Sequence, residues 1–124
     1  MAEILFYNKK YAKDYDKFKE ICASHDVEII EVDENHVDHY VGYLLGLEGF
    51  SDEKKDEVDE DIHIDFDFIL FSNFDNEKMF SVIDDLRNSG ANVQHKAGTT
   101  ENNIHWSLRE LLIENYKEAR TMGL

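Results

Sequence analysis

A single cysteine, Cys22, is all the thiol this chain of 124 residues carries, so no intramolecular disulfide can form. It falls on one helical stripe with Tyr11, Tyr15 and Phe18, at spacings of four, three and four. That placement predicts a reduced, packed thiol of the kind cytosolic proteins tolerate, and it disfavours a nucleophile, because apolar burial raises a thiol pKa and hides the sulfur. Basic residues are scarce as well: 13 Lys and Arg stand against 28 Asp and Glu, for a net charge of −15. Such a chain repels a phosphate backbone and an anionic membrane surface, so neither nucleic acid nor membrane is an expected partner. No uninterrupted apolar run approaches the roughly 20 residues needed to span a bilayer. Met1 to Tyr7 lacks the basic start, long apolar stretch and small-residue cleavage site of a secretory signal, and reads as a first strand. These features predict a soluble, cytoplasmic protein.

Chemistry-bearing motifs are missing too. Asn8-Lys9-Lys10 and Asn73-Phe74-Asp75, which follow the two strongest strands, provide neither a P-loop nor a dinucleotide fingerprint. No serine sits in a glycine-flanked elbow, and no carboxylate is marked by an apolar sequence environment. Enzyme activity therefore has no positive support, and no cofactor is expected.

What is present is a pattern. Ile4-Leu5-Phe6-Tyr7-Asn8 returns as Ile69-Leu70-Phe71-Ser72-Asn73, identical at four of five positions. Carried onward, the offset aligns Ile21 with Leu86, Val27 with Val93, His39 with His105, Tyr40 with Trp106 and Leu45 with Leu111. The reading is one α/β domain, 1–124, built from two β-α-β-α repeats at 3–46 and 66–123 joined by an acidic connector at 47–65. Its four-stranded sheet has the strands at 3–8 and 66–72 in the centre and those near 27–32 and 91–97 at the edges. Helical connections predict parallel neighbours. A ferredoxin-like α+β arrangement is the alternative.

Helices are expected over 11–24, 36–46, the stretch holding Met79, Val82, Ile83 and Leu86, and from Ser107 onward. Gly90 stands where a left-handed helix end wants no Cβ. Ser107-Leu108-Arg109-Glu110 reads as a capping box, with Trp106 and Leu111 as its hydrophobic staple. Between Ser51 and Asp67, nine acidic residues face only Lys54 and Lys55, which predicts a solvated connector; a calcium loop is disfavoured because the alternating oxygen ligands around a glycine are missing. His36 and His39, among Asp33, Glu34 and Asp38, form the one metal candidate. Their spacing of three is not that of a zincin helix, and an acid or amide before a helix is commonly a cap, so no metal site is expected.

The string Lys96-Ala97-x-x-Thr100-x-x-Asn103-x-x-Trp106-Ser107-Leu108-x-Glu110-Leu111-Leu112 resembles the signature of domain-of-unknown-function family 3783, and Val41-Gly42-Tyr43-Leu44-Leu45-Gly46 is similar to what accompanies it in full-length relatives. The resemblance spans about the second half of the chain and implies small proteins with no assigned activity, cofactor or catalytic residue. Two functions stay open. The leading expectation is a noncatalytic regulatory or protein-interaction domain, with another protein as partner. The alternative is a small-ligand or anion-binding domain, or an accessory enzyme, that uses Lys96, Thr100, Asn103, His105 and Ser107 before the last helix. For the histidine pair, calorimetric titration with Zn²⁺ is expected to show no submicromolar binding; stoichiometric binding lost in His36→Ala would reverse that reading.

Overall fold

The computed structural model describes residues 1–54 and 64–121. Four strands, β1 (Glu3–Tyr7), β2 (Glu28–Val32), β3 (Phe68–Ser72) and β4 (His95–Gly98), form one sheet in the order β2-β1-β3-β4. Helices α1 (Tyr15–Ser24), α2 (Val41–Leu44), α3 (Asn76–Asn88) and α4 (Leu108–Thr121) pack on it. The expected central placement of β1 and β3 is found, with β2 and β4 at the edges. Its directions are mixed, however: β1 runs parallel to β2 and β3 parallel to β4, whereas the central pair is antiparallel. Each parallel pair is joined through a helix, so the fold is α/β and not the ferredoxin-like α+β alternative.

Alternation along the central strands separates two apolar layers. Ile4, Phe6, Ile69 and Phe71 face one way and pack on Phe18, Ile21 and Cys22 of α1 and on Val82 and Leu86 of α3. Leu5, Tyr7, Phe68 and Leu70 face the other way, onto Val41, Leu45, Leu108, Leu111 and Leu112. Because both faces are covered, β3 is buried at all five positions, which is why it reads as a continuous apolar run. α1 and α3 share a face because two parallel pairs that run oppositely and grow toward opposite edges need this to keep one crossover hand.

Two helices differ from expectation. The stripe from Tyr11 suggested a helix over 11–24, yet Lys9–Tyr11 is a 3-10 turn and α1 begins at Tyr15. The Asp14 side chain accepts from the Lys17 amide at 3.0 Å and fixes that start. The helix expected over 36–46 is reduced to a 3-10 turn at Glu34–His36 and the single turn of α2. Between them the backbone is committed elsewhere. Val41 N donates to the Trp106 carbonyl at 2.9 Å, Leu108 N to the His39 carbonyl at 3.0 Å, and Arg109 N to the Val37 carbonyl at 2.7 Å. A continuous helix would turn those carbonyls into its own ladder.

Helix ends follow the expected chemistry more closely. The Glu110 amide donates to Ser107 Oγ at 3.2 Å and the Ser107 amide to Glu110 Oε1 at 3.0 Å, which completes the capping box of α4. Gly90 has φ +75°, and the bond from Ala91 N to the Leu86 carbonyl closes α3 behind it. The connector at 47–65 lies in large part outside the described residues. Its early portion folds back over α2, where the Phe50 ring covers Gly42 so closely that a Cβ there would overlap the ring.

Truncation should separate core from cap. Phe6→Ala, at a side chain with no exposure, should cost about 3–5 kcal/mol, and Ser107→Ala about 0.5–2 kcal/mol, in denaturant unfolding. Equal costs for the two would contradict this division.

Candidate functional site

The residues singled out before α4 are held by one another. The Thr100 amide donates to Asn103 Oδ1 at 2.8 Å, the Asn103 amide to Thr100 Oγ1 at 2.9 Å, and Asn103 Nδ2 to the Gly98 carbonyl at 3.0 Å. Asn103 is 5% exposed and Ser107 1%, with Ser107 in the cap. Lys96 stands apart. Its Nζ donates to the Val93 and Gln94 carbonyls, beside Ile83, Leu86 and Arg87 on the α3 face, while the next residue, Ala97, packs with the α4 layer. Burial, followed by Arg87, lowers its pKa. His105 is exposed, its ring 5.2 Å from that of Phe50. The fold thus joins Thr100 and Asn103 in one turn, gives Ser107 to the cap of α4, turns Lys96 to the α3 face and leaves His105 exposed.

The histidine pair is similarly engaged. Asp33 N donates to His36 Nδ1 at 3.1 Å, so His36 closes the cap of its own turn. His39 stacks on Tyr43 at 5.2 Å, and its Nδ1 is buried without a hydrogen-bond partner among the described residues. Among the described residues, no three His, Cys, Asp or Glu side chains are grouped as metal ligands.

A different site lies at the carboxyl ends of β1 and β2, the location at which parallel sheets leave a crevice. Asn8, Lys9, Lys10, Glu31, Val32, Asp33 and Glu34 line a cleft of about 370 Å³. A second, of about 290 Å³, adjoins it and adds Tyr7, Tyr11, Val37, Ile64, Asp65 and Arg109. Asn8, Lys10 and Glu34 belong to both. Asn8 ends β1 in the left-handed region, at φ 68°, which asparagine tolerates better than most residues. Its amide N is tied to the Val32 carbonyl at 3.0 Å.

Two residues here are buried in most of their surface yet keep their side-chain polar atoms open to the cleft. Tyr7 is 2% exposed and Asn8 4%, yet neither the hydroxyl nor the side-chain amide has a hydrogen-bond partner among the described residues. Asn73, which ends β3 in the same conformation, is satisfied: its Nδ2 donates to the Met1 carbonyl at 3.0 Å.

The surrounding charges are mixed. Lys9 binds Glu31 at 3.0 Å, and Tyr15 also donates to Glu31. That hydroxyl, followed by Lys9, lowers the Glu31 pKa. Arg109 grips Asp38 at 2.9 Å and holds its carboxyl below the ordinary range. Lys10 and Glu34 meet only loosely, at 3.9 Å. The Tyr7 phenol is raised by burial and then by Glu34, with Arg109 opposing.

Comparison with known proteins bears on the other half of the chain, where residues 67–122 match the model of a domain of unknown function, DUF3783. The resemblance read from the sequence holds over these residues. No curated protein and no solved structure matches the chain. The DUF3783 segment supplies β3, α3, β4 and α4, but of the two clefts it lines only the second, through Arg109. The sequence signal missed was Asn8-Lys9-Lys10. Tested only as a phosphate loop, it carries two adjacent cations in a chain short of them, behind an asparagine that recurs as Asn73.

Tyr15→Phe should raise the Glu31 pKa toward the ordinary carboxylate value, read by NMR titration. Because the native pKa is depressed, its stabilisation is present above the ordinary carboxylate range and is lost as pH falls through the folded value. An unchanged Glu31 titration in the variant would show that the tyrosine hydroxyl is not what depresses it.

Proposed function

We propose that this protein is a noncatalytic regulatory domain that binds a small polar ligand at the carboxyl ends of β1 and β2. One observation carries the reading: Tyr7 and Asn8 are buried in most of their surface, and their hydroxyl and side-chain amide, without a hydrogen-bond partner among the described residues, open onto a cleft of small-molecule size. A ligand that hydrogen-bonds both would take the place of the solvent they otherwise meet. The loop at 96–107 gives weaker support, since Thr100, Asn103 and Ser107 hold the entrance to α4.

The same proposal includes an internal duplication within one domain. Its support is that Leu5 pairs with Leu70, the residue the repeat equates with it, as a two-fold axis through the central pair requires. Among the described residues no helix is long and apolar enough to cross a membrane. A cytoplasmic location is favoured by the lone Cys22, whose thiol burial pushes up to about 12. The charge of −15 argues against nucleic acid and leaves another protein as the macromolecular partner of a regulatory domain.

A thermal-shift screen with small amino acids, sugars, amines, carboxylates and phosphates checks the ligand reading, because a compound at 100 times its Kd adds about 2.7 kcal/mol. The expected hit loses its shift in Tyr7→Phe combined with Asn8→Gly; glycine keeps the positive φ. A shift that survives both changes would place the ligand elsewhere.

A further inference from the structure

Resting on the small-ligand reading, we infer that the cleft takes a free α-amino acid, with its carboxylate on Lys10 and its ammonium on Glu34. Asn8, Lys10 and Glu34 are the three residues common to both clefts, so a molecule at their junction meets one cation, one anion and one amide. The amide carries a donor and an acceptor, and the Tyr7 hydroxyl does likewise, so each can serve either end of a zwitterion.

The other ion pairs nearby are tighter. Glu31 is held by Lys9 at 3.0 Å and by Tyr15, and Asp38 by Arg109 at 2.9 Å. Lys10 and Glu34, 3.9 Å apart with side chains 61% and 65% exposed, can separate at little cost and close on the two ends of a ligand whose own charges are one carbon apart. A ligand of one sign fares worse. A bare anion would stand among Glu31, Asp33, Glu34 and Asp65, and a bare cation among Lys9, Lys10 and Arg109. Only a molecule with both signs leaves neither set facing like charge. Val37, Ile64 and Tyr11 then receive an aliphatic side chain in the second cleft.

The test is calorimetric titration of the full chain with L-valine, L-leucine, L-threonine and L-serine, followed by the single-charge analogues of L-leucine, 3-methylbutylamine and 4-methylpentanoate. At least one amino acid should bind, with ¹⁵N shift changes at Asn8, Lys10 and Glu34, and both analogues should bind at least tenfold more weakly than L-leucine. Lys10→Ala and Glu34→Gln should each weaken amino-acid binding at least tenfold and leave the Tm without ligand unchanged, since both residues are exposed. If an analogue binds as tightly as L-leucine and shifts Asn8, the zwitterion assignment falls while the cleft remains a ligand site. If no amino acid binds, the inference falls, and the metabolite screen with the Tyr7 and Asn8 variants decides the cleft separately.

Discussion

The antiparallel pairing of β1 with β3 is the constraint from which the rest of the structure follows. Its register sets Ile4 against Phe71, Leu5 against Leu70 and Phe6 against Ile69, and the cross-strand neighbours on each face are apolar. A slip of one residue would exchange the two faces and put every one of these side chains in the wrong layer. Once the pair is fixed, each half adds a parallel edge strand through a helix, and both helices fall on the same face. The opposite face is left for α4 and the short turn of α2.

That division explains where the polar chemistry resides. On the α4 side the backbone of 37–41 hydrogen-bonds to the backbone of 106–109, so the entrances to α2 and α4 brace each other. Thr100 and Asn103 bond within the turn before α4 and Ser107 caps that helix, and these local bonds account for their polarity. At the carboxyl ends of β1 and β2 no comparable closure forms. Tyr7 and Asn8 are carried under cover by the strand and turn that hold them, and their polar groups meet a cleft instead of a carbonyl. The contrast with Asn73, whose amide reaches Met1, shows that the left-handed turn does not itself strand the side chain.

Much of the fold was legible from residue pattern. Apolar continuity marked β3 as central, the polar stretch at 95–98 belongs to an edge, and Ser107 with Glu110 announced the start of α4 because a cap is a local device of four residues. The failures were also local in cause. Tyr11 lies at helical spacing from Tyr15, but Asp14 captures the Lys17 amide and starts the helix later. Val37, Tyr40, Val41 and Leu44 have helical periodicity, yet their backbone is claimed by residues near 106–109, a contact that spacing does not encode.

The sequence alone determined the α/β class, the central placement of β1 and β3, the acidity and the cap of α4, since each depends on composition or on patterns along the chain. Tertiary structure decided the direction of the central pair, the shortening of α2 and the cleft at Tyr7 and Asn8. The physical reason is that these depend on which groups meet across long separations. A tyrosine and an asparagine at a strand end look ordinary until the fold sets them against one cleft, with no hydrogen-bond partner for their side chains among the described residues.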